Sequence, residues 1–285
     1  MGPDYTRVEI EFLSNEKKEL LIAILSENNY DGFEEEGDLL KAYIGSGNYD
    51  PATLNKIASH YNFSFSATPE ENKNWNEIWE SNFPPIVINH PRSNSSWLAI
   101  RADFHEPIRG VEHEIIITPK MSFGTGHHPS TLMMIEMMSE LNFGGKKVLD
   151  FGTGTGILGI LAEKLGASGV VAIDHDDQSI KNAAENFKSN HCETITLLKN
   201  SSARTKAKFN IILANIVKSV IIDNLAHFAK QLSPNGVIVL GGMITQDQDA
   251  IAQAAEKYGL NWNKKIEKDN WICLRLHNKL NTAGT

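Results

Sequence analysis

Residues 147–159 read KVLDFGTGTGILG, a short apolar run that passes through alternating glycines into a second apolar run. The first run has the length of a buried strand, and the second begins a helical pattern that ends near Gly166. From Ile86 onward, strand-like segments alternate with helical segments of ten or more residues. This alternation predicts an α/β fold with a mainly parallel sheet covered on both faces. Near the carboxyl terminus, NWNKKIEK and WICLRLHN predict an antiparallel hairpin that closes one sheet edge.

The amino-terminal part of the chain has a different order of elements. Its strand and helix patterns follow the order β-α-β-β-α-β, which is typical of a small ferredoxin-like α+β domain. A polar stretch with Trp75 and Trp79 follows, and these two side chains would share one helix face and pack against a domain. We therefore expect a small domain over residues 1–68, a linker over residues 69–84 and a large α/β domain over residues 85–285.

The composition is that of a globular protein with an acidic balance. The chain has 285 residues, of which 41% are hydrophobic, and a formal net charge of -8. This charge favours a basic partner and argues against general binding of polyanions, so we expect no direct readout of nucleic acid. We see neither an export signal nor an apolar stretch that could span a membrane. The two cysteines lie far apart, which fits a reducing compartment. We expect a cytoplasmic monomer.

The glycine loop by itself fits two classes of cofactor. Gly154, Gly156 and Gly159 satisfy the G-x-G-x-x-G fingerprint of dinucleotide sites. The D-x-G-x-G-x-G loop of methyltransferases that use S-adenosylmethionine is satisfied equally well, by Asp150, Gly152, Gly154 and Gly156. Asp150 favours the second class, because its carboxylate would repel a pyrophosphate and attract the ammonium group of S-adenosylmethionine. We predict S-adenosylmethionine as the cofactor, with Asp150 and these glycines among its binding residues.

Two further polar side chains follow predicted strands. Asp174 ends the second strand of the α/β core, where a carboxylate accepts hydrogen bonds from the ribose of either cofactor. The alternative role is a helix cap, which Asp176 or Asp177 would fill equally well. Asn215 follows the fourth strand, and we predict that its amide binds cofactor and holds an amine for methyl transfer. A plain turn asparagine is the alternative.

Four segments resemble, in their order along the chain, the motifs of a ribosomal protein methyltransferase family that acts on large-subunit ribosomal protein eleven. They are FGTGHHPST at 123–131, DFGTGTGILG at 150–159, AIDHD at 172–176 and LANI at 213–216. The resemblance covers nearly the whole chain, including the small domain and the linker. It implies a Rossmann-like class I methyltransferase sheet and N-methylation of lysine side chains and the terminal amine of that ribosomal protein. It also implies that Thr131 contacts the methionyl part of the cofactor.

Three alternatives concern metal binding and the substrate. His127 and His128 are adjacent, so their side chains project apart, and no carboxylate or cysteine lies at ligand spacing. We therefore expect no metal. The same catalytic domain would also suit methylation of RNA or a small molecule. In the third alternative, the small domain is a ribosome-docking module and methylation is secondary.

Overall fold

The computed structural model describes residues 5–11, 15–70, 84–91, 93, 95–118 and 126–278. The chain divides into two compact units, Met1–Asn82 and Phe83–Thr285. Trp75 and Trp79 of the predicted linker lie outside the described residues. The domain boundaries drawn from the sequence stay a prediction, although the last strand of the small unit continues two residues past residue 68.

The first unit has the predicted order of strands and helices. Its elements are β1 (Tyr5–Ile10), α1 (Asn15–Glu27), β2 (Tyr30–Glu36), β3 (Leu39–Gly45), α2 (Pro51–Tyr61) and β4 (Phe65–Glu70). The four strands form a sheet in the order β2-β3-β1-β4, in which all three neighbouring pairs are antiparallel. Alternate residues of β1 are buried, and Val8 and Ile10 pack with Leu21 of α1 and Leu54 of α2. The expected ferredoxin-like arrangement is therefore confirmed.

The second unit contains the alternating strands and helices that the sequence predicts. It begins with a three-stranded sheet of β5 (Ile86–Asn89), β6 (Ser96–Arg101) and β7 (His113–Ile116). The following elements are α3 (Pro129–Ser139), β8 (Lys147–Phe151), α4 (Ile157–Lys164), β9 (Gly169–Asp174), α5 (Asp177–Ser189), β10 (Ile195–Lys199), β11 (Phe209–Asn215), α6 (Lys218–Gln231), β12 (Leu232–Ile244), α7 (Gln248–Glu256), β13 (Leu260–Lys268) and β14 (Trp271–Asn278).

The large sheet has the strand order β10-β9-β8-β11-β12-β14-β13. Its first five strands are parallel, whereas β14 runs antiparallel to both β12 and β13. The predictions of a parallel α/β sheet and of a closing carboxyl-terminal hairpin are both confirmed. The order reverses at β8, so the loop after this strand opens at the switch point where ligands of such sheets bind.

Two hydrophobic clusters cover the opposite faces of the large sheet. Successive strand residues point to opposite faces, and Val148 and Leu149 accordingly belong to different clusters. The methionines at 133, 134, 137 and 138 of α3 are all buried in the first cluster, as a packed helix would require. In the described part of the chain, no helix is long and apolar enough to cross a membrane.

Candidate active site

Three predicted site residues meet at the carboxyl edge of the large sheet. In the parallel ladders, Phe151 of β8 lies opposite Ile173 of β9 on one side and Ala214 of β11 on the other. The next residues along these strands are Gly152, Asp174 and Asn215. The register therefore places an aspartate and an asparagine on the two sides of the first loop glycine. Sequence reasoning had assigned all three residues to one site.

The glycine loop is held to the end of β9 by its own backbone. The amides of Gly152 and Thr153 donate to the carbonyl of Ile173 at 2.8 Å and 3.0 Å. Gly152 has φ 74°, in the left-handed region that favours glycine, and a Cβ there would lie 2.2 Å from Cγ2 of Ile216. Because Gly152 and Gly154 are only half-buried, their backbone is open to approach by a ligand.

Gly156 has a packing role in the structure. It is buried, has φ 84°, and a Cβ there would lie 2.4 Å from Cε1 of Phe187 in α5. A side chain at this position would therefore push α5 away from the loop. The glycine allows α4 and α5 to pack closely, while its predicted contact with cofactor stays a prediction.

Asp150 lies beneath the loop and is almost fully buried. Its Oδ2 accepts hydrogen bonds from the Thr153 hydroxyl at 2.6 Å and from the Gly159 amide at 3.0 Å. Its Oδ1 is buried and has no hydrogen-bond partner among the described residues. Burial raises the pKa of Asp150 to about 6, against the lowering effect of the two hydrogen bonds. This carboxylate thus joins the glycine loop, at Thr153, to the first turn of α4, at Gly159. It also brings a poorly solvated negative charge beneath the loop.

Asp174 connects the second strand to the glycine loop. Its Oδ2 accepts from the Gly154 amide at 2.8 Å, and its Oδ1 accepts from the amides of His175 and Asp176 at 2.7 Å and 3.1 Å. The helix-cap role belongs to Asp176, whose Oδ2 accepts from the Ser179 amide at 2.7 Å. Asp174 is therefore not the cap of α5. Its carboxylate lies at the sheet edge, where a ribose would meet it.

Thr131 and Asn215 are hydrogen-bonded although they lie 84 residues apart in the chain. The Asn215 Nδ2 donates to Oγ1 of the fully buried Thr131 at 3.3 Å. The Asn215 Oδ1 is buried with no hydrogen-bond partner in the described part of the chain. A Cβ on Gly241 of β12 would lie 2.8 Å from this oxygen, so a glycine is required beside it. The Asn215 carboxamide thus has one bonded and one enclosed, unbonded polar atom beside Thr131.

The first turn of α3 is capped by a histidine side chain. The cap of this helix is His128, whose Nδ1 accepts from the Ser130 amide at 3.1 Å, while the Thr131 amide donates to the His128 carbonyl at 3.0 Å. These amides are therefore engaged within the helix cap and are not free for a carboxylate. The first amides of a helix often bind an anion, but here the His128 cap uses those of Ser130 and Thr131.

The two adjacent histidines have separate partners. The Nε2 of His127 lies 2.9 Å from the Pro84 carbonyl, and the ring of His128 packs edge-on against Trp271 at 4.5 Å between centroids. Burial lowers the pKa of His128, which keeps the ring neutral near pH 7. Within the described residues, no group of three or more His, Cys, Asp or Glu side chains could hold a metal ion.

The residues present fit S-adenosylmethionine better than a dinucleotide. The edge of the sheet brings together two carboxylates, Asp150 and Asp174, and a buried amide oxygen of Asn215. Acceptors and negative charge suit a ligand that carries a sulfonium and an ammonium group, and they would repel a pyrophosphate. Gly152 and Gly154 offer the open backbone against which such a ligand would lie.

Sequence reasoning missed three residues that shape this edge. Ile216 and Phe187 occupy the space that side chains at Gly152 and Gly156 would need, and Asn186 of α5 donates to the Thr155 carbonyl of the loop at 2.8 Å. The only signal in the sequence was the spacing of asparagines at 182, 186 and 190, which places them on one helix face.

Comparisons with known proteins agree with this geometry. The family model described as Ribosomal protein L11 methyltransferase (PrmA) matches residues 14–279. A ribosomal protein L11 methyltransferase of Phocaeicola vulgatus is 34% identical over 265 residues, covering 90% of this chain and 92% of that protein.

Two solved structures resemble the chain. The crystal structure of a ribosomal protein L11 methylase from Lactobacillus delbrueckii subsp. bulgaricus matches with a TM-score of 0.61 and 31% identity, covering 68% of this chain and 98% of that one. The crystal structure of a methyltransferase from Pyrococcus furiosus matches with a TM-score of 0.50 and 18% identity. The match covers 58% of this chain and 89% of that one, and it shows the fold alone.

Proposed function

The chain belongs to the ribosomal protein L11 methyltransferase family, and from this premise we propose that it transfers methyl groups from S-adenosylmethionine to amines of ribosomal protein L11. The acceptors are lysine side chains and the terminal amine. The observation that carries the proposal is the hydrogen bond between Asn215 and Thr131 beside the glycine loop. It joins the residue proposed to hold the amine to the residue proposed to hold the cofactor.

The cofactor site is assigned to residues along the carboxyl edge of the sheet. We propose that the backbone of Gly152 and Gly154 lies against the cofactor and that Asp174 accepts hydrogen bonds from its ribose. Thr131 lies beside the methionyl part. Asp150 acts through its charge, because its carboxylate is buried and one oxygen is already bonded within the loop. A buried anion attracts the ammonium end without direct contact, since screening is weak beneath the loop.

The amine must be neutral before it accepts a methyl group. A lysine with an ordinary pKa near 10.4 loses its proton at neutral pH at a cost of roughly 4 to 5 kcal/mol. We propose that Asn215 holds the incoming amine and orients its lone pair toward the methyl carbon. The cofactor, when bound, supplies an electrophilic methyl group and a nearby positive charge that disfavours the ammonium form. The protein thus contributes positioning and desolvation to a direct in-line displacement.

Substrate docking is assigned to the small amino-terminal domain. We propose that residues 1–68 bind the ribosomal protein, that residues 69–84 link the two domains, and that residues 85–285 carry out the transfer. The net charge of -8 supports a basic protein partner rather than direct readout of nucleic acid. We further propose a cytoplasmic enzyme that acts as a monomer; analytical ultracentrifugation tests the last point.

The test is a labelling reaction with tritiated S-adenosylmethionine and ribosomes whose proteins lack this modification. We expect label in ribosomal protein L11, identified by mass, and slower labelling with the Asn215→Ala variant. Label in RNA or in small molecules, with L11 unlabelled, would reject the substrate while leaving the methyl donor in place. Measurement of S-adenosylmethionine binding by calorimetry separates that outcome from a failure to bind cofactor.

A further inference from the structure

Two asparagines of α5 and the asparagine that caps its carboxyl end form a buried row. Asn182, Asn186 and Asn190 are four residues apart and only 1%, 0% and 8% exposed. Buried amides are unfavourable unless they are hydrogen-bonded, so a row of three on one helix indicates specific partners. The partners of this row lie in the glycine loop and at the end of β7.

Asn186 is bonded to two segments that are distant in sequence. Its Oδ1 accepts from the Thr118 amide at 2.8 Å, and its Nδ2 donates to the Thr155 carbonyl at 2.8 Å. Thr155 belongs to the glycine loop, while Thr118 lies two residues after β7 and precedes, in the sequence, the glycine-threonine stretch at residues 121–131. One planar carboxamide therefore sets the separation between these two segments.

Asn182 continues the row toward the carboxyl edge of the sheet. Its Oδ1 lies 3.3 Å from Nδ2 of Asn186, whereas its own Nδ2 is buried and has no hydrogen-bond partner among the described residues. The Asn186 amide is thus oriented from two sides, by Asn182 and by the Thr118 amide. A side chain held in this way keeps its partner loop in one conformation.

We propose that Asn186 is a positioning residue for the cofactor site, which holds the glycine loop at a fixed separation from the chain entering the first glycine-threonine stretch. This inference rests on the proposed function for the identity of the ligand. The loop needs such a tether because Gly152, Gly154 and Gly156 all have positive φ and little intrinsic stiffness. An apolar side chain at 186 would have no donor for the Thr155 carbonyl.

Asn190 provides a matched control. Its Oδ1 accepts from the Ile116 amide at 2.9 Å and its Nδ2 donates to the Ile116 carbonyl at 2.6 Å. Like Asn186, it pairs with one backbone amide and one backbone carbonyl outside α5. It differs because neither partner belongs to the glycine loop. Loss of Asn190 removes similar contacts from the same helix face while leaving the Thr155 carbonyl bonded.

The experiment compares Asn186→Leu with Asn190→Leu in the full-length protein. Each substitution keeps the branched outline of the side chain, although leucine is the larger residue, and each removes one hydrogen bond to a backbone amide and one to a backbone carbonyl outside α5. We expect similar decreases in Tm. Calorimetric titration with S-adenosylmethionine is expected to show at least a tenfold weaker Kd for Asn186→Leu and less than a twofold change for Asn190→Leu.

Equal Kd values for Asn186→Leu and wild type, or equal weakening in both variants, would overturn the positioning role. If Asn186→Leu does not fold, the pair Asn186→Ser and Asn190→Ser is compared in the same way, with the same deciding outcomes. A wild-type protein that fails to bind S-adenosylmethionine would instead reject the proposed function. The two failures are therefore distinguishable.

Discussion

Asp150 makes a specific prediction about the pH dependence of folding stability. Its carboxylate is buried beneath the glycine loop, with one oxygen bonded to Thr153 and Gly159 and the other without a partner among the described residues. Burial disfavours the charged form and raises the pKa to about 6, from an ordinary value of 3.8. The folded protein therefore holds this proton more tightly than the unfolded chain does.

The sign of the effect follows from proton linkage. Between about pH 4 and pH 6 the unfolded chain has lost the proton that the folded protein still holds, so the free energy of unfolding decreases as pH rises. Above about pH 6 both states are ionised and the loss is complete. A rise of the pKa from 3.8 to about 6 corresponds to roughly 3 kcal/mol, of which about half is lost between pH 5 and pH 8.

Replacement of Asp150 by asparagine removes this titration while keeping the shape of the side chain. The amide oxygen still accepts from Thr153 and Gly159. We expect the difference in free energy of unfolding, variant minus wild type, to increase by roughly 1 to 2 kcal/mol between pH 5 and pH 8. Urea titrations followed by circular dichroism at several pH values measure this difference, and the subtraction cancels the other titrating groups.

Asp177→Asn is the control for this experiment. Asp177 is exposed, and its hydrogen bond with Lys199 lowers the pKa of the carboxyl group, so the group stays ionised across the tested range. We expect no change with pH in the difference between this variant and wild type. A difference for Asp150→Asn that is equally flat would refute the conclusion that the Asp150 carboxylate is poorly solvated.

Four further predictions concern the cofactor, the amine and the packing of the loop. Asp174→Ala should weaken S-adenosylmethionine binding by roughly 10- to 100-fold in calorimetry, since it removes acceptors for the ribose and for the loop; an unchanged Kd would contradict the ribose assignment. Asn215→Ala should lower kcat in the labelling assay with little change in cofactor Kd, and an equal kcat would exclude it as the amine holder. Gly156→Ala should lower the free energy of unfolding by about 2 kcal/mol, because φ is 84° and Phe187 leaves no room; no loss of stability in urea would show that α5 moves freely. Val217→Ser should raise the free energy of unfolding by about 1 kcal/mol, because the exposed Val217 occupies the N-cap position of α6 and makes no side-chain hydrogen bond there. An unchanged urea midpoint with an unchanged slope would contradict this prediction.

The sequence by itself determined the order of elements and the class of fold. Apolar runs of strand length that alternate with helical patterns specify a parallel sheet, because parallel strands need crossover connections and bury both faces. It also placed Asp174 and Asn215 where their strands end, and parallel strands bring such ends to one edge. The ferredoxin-like order of the first unit was determined in the same way, by patterns that lie within single elements.

Only the tertiary structure decided which side chains contact one another at the site. The Thr131–Asn215 hydrogen bond spans 84 residues, and the choice of His128 and Asp176 as helix caps depended on the conformation of their loops. The Asn186 tether likewise joins segments that no local pattern relates. Periodicity specifies which face of an element is buried, but the partner across the interface is fixed by packing between elements that are distant in sequence.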